Sequence, residues 1–104
     1  MALPPKLQGI GIFWLRAQDY TRFLEICIDR QNLPPTYEKW LYRANQGFDR
    51  LQRQGAPVIK AIVDLDQFIA WCRAKGLDID SKARTEYASY IAAMQIRAGD
   101  ENKH

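Results

Sequence analysis

Two sets of side chains in this 104-residue chain are of types that could do chemistry. The first is the carboxylate group Asp64, Asp66, Asp78 and Asp80. Paired acids can hold a hard cation or trade protons in glycosyl transfer. Their spacing lacks the dense ligand pattern of a calcium loop. Asp64 and Asp80 also stand where helix caps belong. A small enzyme with a carboxylate-lined cleft is therefore the third of three readings. The second set is Lys39, Arg43, Gln46, Arg50 and Arg53. Their separations are close to whole turns of 3.6 residues, so they share one face of a helix. Such a row can follow phosphates or meet an acidic protein, and Gln46 adds hydrogen bonds. A charged face turned to water is the plainer explanation, and Glu38 and Asp49 flank the row.

Other chemistries lack their residues. Nucleophilic catalysis needs a Ser, Thr or Cys beside a base, but the single histidine, His104, is the last residue. No GxxxxGK[ST] phosphate loop is present, and Gly9-Ile10-Gly11 is no substitute. Cys27 and Cys72 stand alone, without the clustered ligands of a zinc site, and are expected as small buried hydrophobes. No catalytic residue, metal or cofactor is expected. Tyr42 and Trp71 lie off the apolar faces of their helices, as interface aromatics or as rings that neighbouring elements cover.

The elements that would carry these residues follow from pattern. Ile10 to Leu15 is short, apolar and aromatic, which predicts a strand over 10–15. Asp19 is positioned to cap a helix over 19–30, with Tyr20, Phe23, Leu24 and Cys27 as its core stripe and Arg22, Glu25 and Asp29 on the wet side. Thr36 caps a helix over 37–54 that Gly55 stops; Trp40, Leu41, Ala44, Phe48 and Leu51 form its inner face. Val58 to Val63 is a second strand, and Asp64 caps a helix over 65–75 that ends at Gly76. Its stripe is Leu65, Phe68, Ile69 and Cys72. Asp80 or Ser81 caps a last helix over 81–97, with Ala83, Tyr87, Tyr90, Ile91 and Met94 inward.

An offset of 45 residues superposes the halves: Asp19 falls on Asp64, Phe23 on Phe68 and Cys27 on Cys72. The predicted fold is α+β and helix-rich. It has two β-α-α units in pseudo-twofold repeat, with the strands antiparallel. Two strands alone are marginal in water, so helices or a second subunit must support them.

Composition agrees with one globular domain. Hydrophobic residues make up 47% and charged residues 26%. The domain is expected over 10–97, with a flexible segment 1–9 and a frayed tail 98–104. No apolar run reaches the roughly 20 residues of a membrane span, and residues 1–9 are not expected to act as a secretory signal. A cytoplasmic location is expected. Net charge is +3, and the excess is in residues 1–54, with eight Lys and Arg against five Asp and Glu.

The stretch Asp64 to Tyr90 resembles small uncharacterised bacterial proteins with a D-x-D-x-F-x-x-W-C…G-L…D-x-x-A-R pattern. Asp19 to Leu41 looks like their upstream half. The resemblance implies a bacterial domain and assigns no activity or site. The expected function is a non-enzymatic interaction or accessory protein with a protein partner, and a homodimer is a further expectation. Nucleic-acid binding through the basic helix face is the alternative.

Overall fold

The computed structural model describes residues 10–101, and the expectations for 1–9 and for 102–104, His104 included, lie outside them. The chain runs β1 (Ile10–Trp14), a 3-10 turn (Ala17–Asp19), α1 (Tyr20–Ile26), a second 3-10 turn (Arg30–Asn32), α2 (Tyr37–Arg53), β2 (Val58–Ile62), α3 (Leu65–Lys75) and α4 (Ser81–Glu101). The local chemistry explains most of these bounds. Thr36 accepts the Lys39 N–H at 3.2 Å and opens α2; Asp64 accepts that of Gln67 at 3.1 Å and opens α3. Asp80, not Ser81, caps α4 by accepting the Ala83 N–H at 3.0 Å. Gly55 and Gly76 both take left-handed backbone, with φ of 83° and 66°. At Gly76 the Leu77 N–H reaches the Cys72 carbonyl and the Gly76 N–H that of Arg73. The same double closure ends α2, through Ala56 to Leu51 and Gly55 to Gln52.

The strands are parallel, which corrects the antiparallel expectation; Ile10 pairs with Val58 and Trp14 with Ile62. The reason is which helix makes the return journey. α1 has seven residues, about 10 Å at 1.5 Å per residue, so it is shorter than the strand it follows. α2 has 17 residues and does the returning. It starts at the far end of β1, where the Tyr37 hydroxyl donates to the Leu15 carbonyl at 3.0 Å. It delivers the chain to the near end, where the Ile10 N–H donates to the Pro57 carbonyl at 2.9 Å. A single return helix between strands sets them parallel.

The two faces of the sheet meet different helices. Alternation puts Gly11 and Phe13 on one face and Ile12 and Trp14 on the other. On the first face Phe13 packs edge-on to Phe68 at 5.0 Å and against Phe23 at 5.8 Å. There α4 lies so close that a Cβ on Gly11 would sit beside the Ala88 carbonyl oxygen. On the second face Trp14 meets Trp40 and Phe48 of α2 at 5.5 and 6.2 Å. The core joins Leu15, Tyr20, Phe23, Cys27, Val63, Leu65, Phe68, Cys72, Ala83 and Tyr87.

Further expectations need correction, beginning with Asp19, whose side chain makes no cap bond to α1. The first helix ends at Ile26, not at residue 30, because Cys27 turns extended, with φ −81° and ψ 130°. Ile28 then donates its N–H to the Ile79 carbonyl at 3.0 Å, and Asp29 is drawn inward to Arg84. On α4 the close approach at Gly11 brings Ala88 and Ala92 inside and leaves Tyr90 and Met94 about half exposed. The same helix continues four residues past the expected 97, to Glu101.

Candidate functional site

The α2 face carries its row as the spacing requires. The inner side of the helix, Trp40, Ala44, Phe48 and Leu51, is half-buried. Lys39, Arg43, Gln46, Arg50 and Arg53 are all exposed on the outer side. Among the described residues ion pairs join Arg16 to Asp19, Arg22 to Asp66 and Arg84 to Asp29, and none involves a cation of α2. The arginines therefore divide into those held by carboxylates within the fold and those left facing outward. Tyr42 stands in the row, 66% exposed, in a shallow depression of about 380 Å³ with Glu38, Lys39, Arg43 and Gln46. Trp71 has a different fate. It is half-buried, edge-on to Tyr87 at 5.1 Å and stacked on Tyr90 at 6.2 Å, with Lys75 Nζ 5.3 Å from its ring. Of the two aromatics, Tyr42 presents a ring and Trp71 is largely covered.

The carboxylates do not converge. Asp64 and Asp80 cap helices. Asp66 accepts a hydrogen bond from Arg22 at 2.5 Å, tying α3 to α1. Asp78 is exposed. No three His, Cys, Asp or Glu side chains among the described residues are grouped to hold a metal. Both thiols are buried. Burial pushes the Cys27 thiol up to about 11, against the opposing pull of Arg84, and pushes Cys72 up as well. Each stays protonated at neutral pH, and a thiol is a poor nucleophile beside a thiolate.

Two features are not visible in the helix patterns. The first is a polar knot inside the core rim. Arg84 donates to both carboxylate oxygens of Asp29, at 2.9 and 2.7 Å, and to Cys27 Sγ at 3.5 Å, with its guanidinium 5.7 Å from the Phe23 ring. The arginine and aspartate side chains are only 12% and 19% exposed. These hydrogen bonds hold the Asp29 carboxyl below its usual range. One signal existed in the sequence: Arg84 lies three and four residues from Tyr87 and Ala88 on the apolar side of α4, where a charge requires a partner.

The second is a trough of about 510 Å³. Ile10, Gly11, Ile12 and Phe13 line it along β1, Arg43 and Ala44 from α2, and Ser81, Arg84, Thr85 and Ala88 from α4. No residue of β2 lines it, so it runs along the edge of β1 that points away from β2. Arg43 borders both this trough and the depression around Tyr42.

No family model, curated protein or solved structure matches the chain. No helix among the described residues is long and apolar enough to cross a membrane.

Proposed function

We propose that this protein is a non-enzymatic interaction module whose α2 face engages an acidic protein surface. One observation carries the reading. Lys39, Arg43, Arg50 and Arg53 are aligned and exposed on one face of α2 with no described carboxylate in ion-pair reach, an alignment that other exposed cations such as Arg30 and Arg73 do not share. Exposed cations that the fold does not neutralise steer acidic partners and contribute to their binding. Tyr42 adds an aromatic anchor in the same row. It also favours a second reading, single-stranded nucleic acid, because bases stack on exposed rings beside cations.

We further read the two β-α-α units as a pseudo-twofold pair, each strand followed by a short helix and then a longer one. Support comes from α2 and α4 meeting opposite faces.

The test is a salt titration against two probes, a labelled polyglutamate peptide and a labelled single-stranded oligonucleotide. Binding that weakens with salt and disappears in Arg43→Glu/Arg50→Glu supports the reading, and the probe that binds chooses between protein and nucleic acid. Binding of neither probe, or binding unchanged by the double reversal, refutes it.

A further inference from the structure

We infer that the trough beside β1 receives an extended, carboxylate-bearing peptide as a third strand of the sheet. The inference rests on the interaction-module reading and names its ligand.

The argument begins with the backbone. In a parallel ladder, alternate residues turn both of their peptide groups to the partner strand. Ile10 donates to Pro57 and Trp14 accepts from Val63, so Ile10, Ile12 and Trp14 face β2. Gly11 and Phe13 then direct N–H and C=O outward, into the trough. No described residue outside the strand ladder bonds to those groups. A row of outward peptide groups is the template on which an added strand pairs.

The side chains favour this edge over the other. β1 reads IGIFW and carries no charge. β2 carries Lys60 mid-strand, the kind of residue that discourages pairing at an edge. The walls have an inviting chemistry: Ala44 is small, and Ser81 and Thr85 bring exposed hydroxyls. No carboxylate lines the trough, while two guanidiniums do. Arg84 is already held by Asp29, so Arg43 is the cation left for an incoming acid.

The same charge argues against two other occupants. A second copy pairing through its own β1 would bring two Arg43 side chains together. Residues 1–9 carry Lys6 and no acid, with Pro4 and Pro5 unable to donate to a ladder.

The probe is a labelled heptapeptide alternating valine with glutamate, read by fluorescence anisotropy and by amide chemical shifts of the full chain. The expected result is saturable binding that moves the Gly11 and Phe13 amides. Methylating alternate peptide amides should weaken it at least tenfold, as should Thr85→Glu. A lysine-for-glutamate peptide should not bind. Arg50→Glu/Arg53→Glu, outside the trough, should change affinity less than threefold. No saturable binding at millimolar peptide overturns the inference and leaves the α2 reading standing. Binding abolished at Arg50 and Arg53 but indifferent to Thr85→Glu would move the peptide to the α2 face. A dimer that Thr85→Glu dissolves would assign the edge to a second copy. Gly11 and Phe13 amides that become exposed on deleting residues 1–9 would assign it to the chain's own start. Both also overturn it.

Discussion

The first β-α-α unit and the second place the same aromatic and cysteine on the same core, yet they leave it differently. In the second unit α3 runs its full eleven residues, Cys72 stays helical, and Gly76 closes the end. In the first, α1 stops after seven residues, Cys27 goes extended, and the chain wanders through a 3-10 turn and two prolines before α2. The second unit then clusters its aromatics: Trp71, Tyr87 and Tyr90 pack on one another, with Tyr90 still about half exposed. The first sets Tyr42 apart from any such cluster, in one row with four exposed cations of α2, and holds the outward edge of β1. One half gathers its aromatics into a cluster, and the other sets a single ring in a basic row. The Arg84–Asp29 bond is the least exposed of the ion pairs described and straps the halves together, beside Arg22–Asp66.

The largest expected effect tests whether the halves share the core equally. Phe23 and Phe68 are both fully buried and both touch Phe13. Phe23→Ala and Phe68→Ala should each cost about 3–5 kcal/mol in urea denaturation. A cost below about 1 kcal/mol for Phe23→Ala would show that the first unit is not part of the common core.

Next is the strap. Asp29→Ala leaves a mostly buried guanidinium unpaired and should cost about 2–3 kcal/mol. Its pH dependence has a definite sign. Arg84 lowers the Asp29 carboxyl, so the pair's stabilisation is present above about pH 4, the usual unfolded value. It is lost as pH falls through the lowered native value. Cys27 acts in the opposite direction. Its contribution is full below about pH 8.5 and is lost as pH rises through about 11. Denaturant midpoints across pH should show both limbs. Asp29→Asn should remove the acid limb and leave the alkaline one; Cys27→Ala should shrink the alkaline limb without abolishing it, because burial also raises Cys72, Tyr20 and Tyr87.

Smaller effects separate the helix ends. Gly76→Ala forces a Cβ into left-handed backbone and should cost about 1–2 kcal/mol. Asp64→Ala should cost about 1 kcal/mol, because it caps α3. Asp19→Ala should cost less than about 0.5 kcal/mol, because the Asp19 carboxylate accepts from Arg16 and caps nothing. Equal costs at Asp19 and Asp64 would restore the symmetry of caps that the 45-residue offset implies.

Much of this was legible in the chain. The caps Thr36 and Asp64 and the glycines at 55 and 76 are local signals, so α2 and α3 begin and end where the sequence places them. The burial of Cys27 and Cys72 followed from stripes at helical spacing. Strand direction was not legible. It depends on α2 rather than α1 making the return, which is a matter of lengths in space. Nor was the end of α1, since Ile28 leaves the helix to bond Ile79, about fifty residues away. The trough was hidden for the same reason: β1, α2 and α4 build it together, and no single segment bears its mark.

The most direct test of the open edge is amide hydrogen exchange along β1 in the isolated protein. The account predicts alternation: Ile12 and Trp14, bonded to β2, exchange slowly, while Gly11 and Phe13 exchange at least a hundredfold faster. Uniform protection across Gly11 to Trp14 would mean that this edge already has a partner and would contradict the account.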